Sequence, residues 1–509
     1  MLIFSRFKAV PPALASLLSF SLEASYAHRL RRNYKRAGEA QPLQFKENRP
    51  TLPALFFPSP TLIAFTDPRR DQPASLADAR NSMRRQVGQL LRDRLGVEIR
   101  KSGGKRPLWK LLAALEVARE LGMPESGLPT WQELRGHWRT VASGQADAIR
   151  GVLAQWGEAA DVGIGAVTQS EVAALAEFAL SGPGVVLGRC LYRFDPECVT
   201  SEKYARLLDA SWNGLRSYLN RSLFQVALTR RGQKYTHAIP EAVVAGNLES
   251  VLDEHLWIAS KLDADAIMRF LRDLKKVLGL YEGRHRVHEP GDGDDPFQLR
   301  CHAAMPFADA KVENAAGGED RLRTDDMRRA FNTPFWPHVL TTTSLGQEGR
   351  DFHVWCKQLL HWDLCPSPLD LEQREGRIQR FGGLSVRVAL AGLFRDHALR
   401  EAGPSSSPWL ALADYADQKF GADASGISPW WSCPNEKIDR VFVVMPQSRQ
   451  TAKFDHLSEL RWLYRLALGQ PHQQDFIERI VQLEKDGRQK YALSLSGWPH
   501  FAAGVGAAK

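Results

Sequence analysis

The chain has 509 residues, enough for about two to four domains with substantial cores, and lacks the run of about 18 apolar residues that a membrane-spanning helix needs. Its net charge of +9 favours a polyanionic partner, although charge alone says little about the fold. Its six cysteines form no CxxC pair and show no regular spacing, which argues against a zinc ribbon or a disulfide framework and predicts a reducing, cytoplasmic setting.

The N-terminal stretch predicts a strand followed by a helix. Residues 2–5 (LIFS) are apolar, and the helix that Pro11-Pro12 opens carries Leu14, Leu17, Leu18 and Leu22 on one face. The continuation of this helix is strongly basic, with tyrosines interleaved. Its candidate contacts to nucleic acid include Arg31, Arg32 and Lys35. The alternative for these residues is a solvated charged face.

Residues 37–295 predict a large, mainly helical region. After a proline-rich stretch and a short strand at 61–65, helices are expected at about 75–95, 108–121, 129–141, 145–156, 169–180, 201–228 and 248–280. The tryptophans of these helices favour a core rather than a platform for stacking bases. A better candidate than the tryptophans for contacting nucleic acid is a basic patch that ends in a glycine-containing loop. It consists of Arg92, Arg94, Arg100, Lys101, Lys105 and Arg106.

Residues 296–402 predict a return to alternating strands and helices, as in an α/β sheet. The strands are expected at 297–305, 337–343, 358–362 and 384–390, and the helices at 321–331, 367–382 and 391–402. The strand at 337–343 (PHVLTTT) is short and β-branched, and it runs into the glycine-rich loop 344–349 (SLGQEG). Beyond residue 403 we expect an accessory α+β region, with a strand at 439–445 and helices at 455–468 and 473–485.

The helix at 367–382 carries the strongest chemical signal in the chain. Its start is predicted by Ser367 as N-cap and a proline at the first helical position, and its end by two glycines. One face is expected to present Gln373, Gly376, Arg377 and Arg380, while Leu371 and Ile378 can be buried on another face. Two arginines one turn apart on a rigid face suit a polyphosphate, which needs two cationic clamps.

Three stretches resemble, in order, motifs of superfamily 2 helicases and Swi/Snf-type translocases. Residues 1–24 resemble motif IV, SLGQEGRD at 344–351 resembles motif V, and LEQREGRIQR at 371–380 resembles motif VI. The resemblance implies an α/β lobe of RecA-like, P-loop NTPase type with a parallel sheet. This second lobe would begin at residues 1–36, be interrupted by the helical insertion at 37–295, resume at 296–402 and be followed by the accessory region at 403–509.

The resemblance also implies roles for individual residues. Arg377 and Arg380 would be arginine fingers that act on ATP. Other contacts to the nucleotide are expected from Gly349, Asp351, Gln373, Arg374 and Gly376. The motif V loop would contact the nucleic-acid backbone through Thr343, Ser344 and Gly346. No residue of this chain is expected to bind a metal, since Mg²⁺ would be held by the first lobe.

That first lobe is not found in the sequence. No G-x-x-x-x-G-K-[ST] motif occurs, and no DExx box follows a buried strand. We therefore expect the ATP-binding lobe to lie upstream of Met1 in the same gene or on a separate polypeptide. The predicted function is the C-terminal half of an ATP-dependent DNA helicase or translocase, inactive as this chain alone. The alternative is a stand-alone, non-catalytic nucleic-acid-binding or scaffolding protein that keeps the fold.

Overall fold

A computed structural model describes residues 1–29, 43, 50–230, 233–261, 266–278, 283–287, 297–301, 303–307, 310–313, 319–322, 324–343, 351–403, 406–420, 428–443 and 448–467. These residues are mostly helical and include a small parallel sheet, as an α/β protein does. The chain divides into two compact units. The sheet unit comprises Met1–Ser21, Tyr281–Arg395 and Leu412–Lys509, and the helical unit comprises Leu22–Leu280 and Asp396–Ala411.

The central sheet has five parallel strands, which we number β1 to β5 in chain order. They are β1 (Leu2–Ser5), β2 (Ala304–Pro306), β3 (Val339–Thr343), β4 (Gln358–His361) and β5 (Asp439–Phe442). Their spatial order is β5-β4-β1-β3-β2. Ile3 of β1 is aligned with Leu360 on one side and with Thr341 on the other. The sheet thus extends into the predicted accessory region, because β5 pairs with β4.

The two faces of the sheet are covered by different parts of the chain. Side chains alternate along a strand, so Leu2 and Phe4 point to one face and Ile3 to the other. The first face packs into a core of Leu2, Phe4, Phe331, Leu340, Phe352, Cys356, Leu359, Ile378 and Ile438. The second face meets the helix Val10–Arg29, where the Thr341 hydroxyl donates a hydrogen bond to the Pro11 carbonyl at 2.8 Å.

The helix Val10–Arg29 packs with its small polar side, not with its leucines. An amphipathic helix normally buries its apolar stripe, yet Leu17 and Leu18 are 58% and 41% exposed. Ser16 and Ser19 are buried instead, and the Ser19 hydroxyl exchanges hydrogen bonds with both the N–H and the carbonyl of Ala304. Small residues let the helix approach a strand end closely enough to hydrogen-bond its backbone.

Two further predictions for the sheet unit are wrong. The expected strand at 384–390 is the beginning of the helix Leu384–Glu401. Its pattern fits a helix as well as a strand, because Val386, Ala389 and Leu390 are buried at i, i+3 and i+4. The helix expected at 367–382 ends at Glu375.

The sheet unit also contains further helices and two antiparallel pairs of strands. The helices are Thr324–Phe331, Pro368–Glu375, Leu384–Glu401, Pro408–Phe420 and Gln450–Ala467, of which the third and fourth run past the boundary between the units. Gly283–Val287 pairs antiparallel with Phe297–Cys301, and Ala310–Glu313 pairs antiparallel with Glu319–Leu322. The expected strand at 297–305 is therefore divided between one of these ribbons and β2. The helix predicted at 473–485 lies outside the described residues.

The helical unit contains the helices expected from the sequence and several more. They are Thr51–Leu55, Pro60–Phe65, Leu76–Gln89, Leu108–Gly122, Trp131–Val141, Ala146–Asp161, Gln169–Ser181, Pro183–Phe194, Ser201–Asp209, Arg216–Leu219, Ser222–Leu228, Tyr235–Ala245, Leu248–Ser260 and Ala266–Leu278, with π-helical turns at Leu90–Arg94 and Ala210–Leu215. A two-residue parallel bridge joins Ile99–Arg100 to Val167–Thr168. The strand expected at 61–65 is helical, because the Ser59 hydroxyl caps the helix and Pro60 begins it.

Aromatic side chains form the core of this unit, as the sequence predicted. Trp138, Trp156 and Trp212 are each 1% exposed. The ring of Trp138 lies edge-on to the other two at 5.9 and 5.4 Å. In the described part of the chain no single helix is long and apolar enough to cross a membrane, and Gln169–Ser181 and Pro183–Phe194, which pass only as a pair, are bent by 62°.

A buried ion network crosses the same unit. Arg193 contacts Asp67 at 2.9 Å and Asp253 at 3.2 Å and also pairs with Glu249, which receives Arg189 at 2.6 Å. Burial raises the pKa of the Glu249 carboxyl, but the two guanidinium groups outweigh it and lower that pKa to about 2. Opposite charges in a low-dielectric core attract strongly, and a buried charge destabilises the folded state when its partner is removed.

We expect Glu249→Gln to lower the free energy of unfolding by about 3–5 kcal/mol, because two buried guanidinium groups lose their shared charge partner. Urea denaturation followed by tryptophan fluorescence measures the change. The exposed Glu158 provides the control, since Glu158→Gln should change the free energy of unfolding by less than about 0.5 kcal/mol. Equal midpoints for the two variants would contradict the importance of the network.

Candidate functional site

Two stretches that are distant in sequence run side by side in the sheet unit. The N–H of Phe352 donates to the carbonyl of Arg377 at 2.9 Å, and the N–H of Leu384 donates to the carbonyl of His353 at 3.0 Å. The segment after the glycine-rich loop is thereby fixed against the segment after the helix Pro368–Glu375. Sequence reasoning expected both stretches to contribute to one site, and the backbone hydrogen bonds place them next to each other.

Arg387 reinforces this contact from inside the protein. Its guanidinium is fully buried and donates to the carbonyls of Gly382 at 2.7 Å and Val354 at 2.6 Å. Gly382 has a φ of +64°, a backbone conformation that favours glycine. Sequence reasoning missed Arg387 because it read the surrounding apolar run as a strand. A lone arginine within such a run was the available signal, since a buried arginine requires fixed partners.

The carboxylate of Asp351 and the guanidinium of Arg380 form an ion pair at 3.1 Å. Their side chains are 43% and 38% exposed, so solvent reaches both. This pair joins the last residue of the first stretch to the last residue of the second. The Nε atom of Arg380 that faces the carboxylate is itself buried, so only other parts of the side chain are open to an incoming anion.

The expected face of four residues, Gln373, Gly376, Arg377 and Arg380, does not form on one helix. The helix Pro368–Glu375 begins as predicted, with the Ser367 hydroxyl accepting from the N–H of Asp370, but Gly376 already caps its end. Arg377 and Arg380 follow in tight turns. The reason is packing, because Ile378 must turn into the core, where it is fully buried.

The other predicted residues of this stretch differ in their surroundings. Gln373 is exposed, and Gly376, Arg377 and Arg380 are partly buried. Arg374 is only 5% exposed, and its guanidinium lies 5.3 Å from the centre of the Phe4 ring. It also donates to the carbonyl of Asp363 at 3.3 Å. Arg374 therefore holds the helix to the sheet, and its burial does not support the expected contact with a nucleotide.

Glu375 links the same helix to the C-terminal part of the sheet unit. Its carboxylate is 2% exposed and receives Arg440 of β5 through two hydrogen bonds of 2.7 and 3.0 Å. Arg461, on the helix Gln450–Ala467, reaches the same carboxylate at 2.6 Å and also pairs with Glu372. Two elements that were expected to be accessory thus fix the position of the helix. Sequence alone could not identify these partners because they are more than 60 residues away.

The carboxyl ends of β1 and β4 form a switch point in the sheet. The chain leaves β1 toward the helix on the Ile3 face and leaves β4 toward the helix on the Phe4 face, so the two connections diverge. Between them, the N–H of Arg6 donates to the Asp363 carboxylate at 3.0 Å. Ligands of open parallel sheets bind in the crevice at such a point. Thr343 ends β3 at the same edge.

Several predicted site residues lie outside the described residues. They are Arg31, Arg32, Lys35, Ser344, Gly346 and Gly349. Of the second basic patch, Arg106 is structural, because it forms an ion pair at 2.8 Å with the buried Glu171. Burial raises the pKa of the Glu171 carboxyl, but hydrogen bonds from Arg106 and from the backbone lower it to about 2. The other five cationic residues of that patch are exposed.

Possible metal ligands do not cluster in the part of the chain that the structure describes. Among the described residues, no three His, Cys, Asp or Glu side chains are grouped so that they could hold a metal ion. All six cysteines are free and buried.

Comparisons with models of protein families, with curated proteins and with solved structures found no match to this chain. Any functional conclusion therefore depends on the geometry described above.

We expect Glu375→Gln to lower the free energy of unfolding by about 3 kcal/mol, because Arg440 and Arg461 lose the charge that both of them contact. Denaturation in urea measures this change. The matched control is Asp455→Asn, which removes an exposed carboxylate from the helix Gln450–Ala467 and should have almost no effect. Similar losses in the two variants would show that net charge, rather than the Glu375 contacts, matters.

His361 should make the sheet unit sensitive to acid. Burial, together with the nearby Arg374, Arg440 and Arg461, lowers the pKa of His361 to about 3. The unfolded chain takes up the proton near pH 6.5, so stability is fully present above that pH and is lost as the pH falls toward 3. At pH 4 the loss from this group is on the order of 3 kcal/mol.

The measurement compares urea denaturation at pH 7 and pH 4 for the wild type and for His361→Phe. The substitution keeps a ring that can stack on Phe442, whose centroid lies 4.6 Å away. The variant should lose less stability on acidification than the wild type. An unchanged pH dependence would mean that His361 does not titrate as its surroundings require.

Proposed function

We propose that the sheet unit is the second, RecA-like lobe of a superfamily 2 helicase or translocase. The observation that carries the proposal is the ion pair of 3.1 Å between Asp351 and Arg380. Asp351 ends the stretch that resembles motif V, and Arg380 ends the stretch that resembles motif VI. The hydrogen bond from Phe352 to Arg377 adds a second link between the same two stretches.

In this proposal Arg377 and Arg380 stabilise the negative charge that develops on the γ-phosphate of ATP. Phosphoryl transfer needs little covalent chemistry from the protein, so catalysis consists of positioning and charge stabilisation. Arg380 is suited to this role because its side chain is partly exposed and already pairs with an anionic group, the Asp351 carboxylate. The phosphate can then replace the carboxylate as the acceptor, and the pair can reform after the product leaves.

The buried residues of the site would keep the two arginines in position. Arg387 fixes the turn at Gly382, and Glu375 fixes the end of the helix that precedes Arg377. Preorganised cations are effective because no reorganisation is needed at the moment of reaction. Arg374 supports the helix from the sheet side and would have no direct part in the chemistry.

The proposal requires a partner lobe and a nucleic acid. The first lobe, from the same gene or from a separate polypeptide, would hold ATP and Mg²⁺. DNA would lie along the carboxyl edge of the sheet, where Thr343 and Arg6 can contact backbone phosphates without reading sequence. The six free, buried cysteines support a reducing, cytoplasmic setting.

By itself the chain should not hydrolyse ATP, and a complex with its first lobe should do so when DNA is present. The lobe is sought as a P-loop sequence in the reading frames upstream of the Met1 codon and in neighbouring genes. In the joined enzyme, Arg377→Ala and Arg380→Ala should each lower kcat about 10³–10⁵-fold. Arg377→Lys should also lower kcat, because an ammonium group cannot reproduce the planar, two-pronged contact of a guanidinium with phosphate.

Melting of the same variants distinguishes this function from a structural role. Ile378→Ala is the stability control and should cost about 2–5 kcal/mol, since that side chain is fully buried in the core. The arginine variants should melt like the wild type. If Arg377→Ala melts the protein while the joined enzyme keeps its rate, the stretch is structural, and the non-catalytic nucleic-acid binder becomes the better explanation.

A further inference from the structure

The helical unit contains an open cavity of about 640 Å³ that shares no residue with the candidate site of the sheet unit. Its wall is formed by Phe65 at the end of one helix, by Tyr192 of another and by the turn that follows Leu108–Gly122. Both aromatic side chains are partly exposed. The volume is within the range of about 300–1,000 Å³ that is usual for small-ligand sites.

The cavity combines aromatic, cationic and polar groups. The guanidinium of Arg94 lies 5.6 Å from the centre of the Phe65 ring and is exposed. Ser126 has a buried hydroxyl oxygen that finds no hydrogen-bond partner within the described part of the chain. The remaining wall includes the apolar side chains of Met123 and Leu128. The Ser126 oxygen is out of reach of solvent, so the groups that a ligand can contact are the aromatic rings, the Arg94 guanidinium and the Glu125 carboxylate. They match a ligand with a flat apolar face, a negative charge and a hydrogen-bond donor on its edge.

A nucleotide has these three properties. Every base offers a π-face that stacks on aromatic side chains, and a guanidinium binds phosphate strongly. Glu125, which is exposed at the rim, can accept a hydrogen bond from a donor on the edge of a base, such as the N3–H of thymine or the exocyclic amino group of adenine. Arg94 is followed in sequence by the exposed Lys101 and Lys105, which offer further positive charge to a longer polyanion, whereas Arg100 is paired with Glu98 at 3.1 Å.

We propose that this cavity binds one unpaired nucleotide, with its base against Phe65 and Tyr192 and its phosphate at Arg94. The nucleotide can belong to a single strand of nucleic acid or be a free mononucleotide. We favour the single strand because of the positive run that follows Arg94. None of the residues that line this cavity is used in the helicase proposal, so the nucleotide site does not rest on that proposal.

The test is a titration of the full chain with a fluorescein-labelled oligo(dT) of 12 nucleotides, followed by anisotropy. Phe65→Leu and Tyr192→Leu keep apolar volume but remove the stacking surface, and each should weaken binding about 5- to 100-fold. Arg94→Gln should weaken binding and reduce the slope of log K against log salt by about 0.7, the value for one phosphate contact to a single strand.

The matched control is Arg84→Gln, which removes an exposed charge from the helix Leu76–Gln89 and should leave binding within about twofold of the wild type if the Arg94 effect is local. Competition with dTMP and dAMP separates the two sources. Displacement at concentrations comparable to the oligonucleotide indicates a mononucleotide site, and displacement only at far higher concentrations indicates a strand site. Either outcome supports a nucleotide site in this cavity if the Phe65, Tyr192 and Arg94 variants weaken the binding.

A second measurement does not depend on the folding of any variant. An oligonucleotide that contains 5-bromouracil is cross-linked to the wild-type chain by ultraviolet light, and the attached peptides are identified by mass spectrometry. Cross-links should fall on the peptides that contain Phe65 or Tyr192. Cross-links confined to other peptides, pocket variants that bind like Arg84→Gln, or no binding of strand or mononucleotide would each overturn the proposal. None of these results bears on the ATPase activity of the joined enzyme.

Discussion

The sheet unit depends on the pairing of β1, a strand of only four residues, with strands that follow it by more than 330 residues. β1 is the middle strand, so it supplies the backbone hydrogen bonds on which both β3 and β4 depend. Leu2 and Phe4 are also the centre of the core on one face. Without this strand the sheet would divide into two pairs, β5-β4 and β3-β2, and neither pair could form an independent core.

Charge neutralisation within the sheet unit has a different purpose from the hydrophobic core. The core determines which strands are adjacent, whereas Arg440 and Arg461 hold the Glu375 end of one short helix in position. Such buried ion groups are rarely a large net source of stability, because desolvation offsets their attraction. Their value here is geometric: they hold the helix that precedes Arg377 and Arg380, whereas the pair of Arg380 with Asp351 is partly exposed.

Local patterns predicted the elements that local physics determines. The strands at 2–5, 337–343 and 358–362 were recognisable as short apolar runs, and the cap at Ser367 was recognisable from side-chain chemistry. The residues at 384–390 were assigned to a strand because a short apolar run fits both the helical and the strand periodicity. The end of the helix at Glu375 and the burial of Arg374 arise from contacts with Phe352 and Phe4, which are distant in sequence. Such contacts leave no local signature.

The central place of β1 also has a consequence for the order of events during translation. A ribosome adds about 5–20 residues per second, so β1 is synthesised roughly 15–70 s before β3, its neighbour in the sheet. The whole of Leu22–Leu280 is made in that interval and can fold while β1 is still unpaired. During that interval Leu2, Ile3 and Phe4 lack their partner strands, so their apolar side chains offer a binding site for chaperones that act at the ribosome.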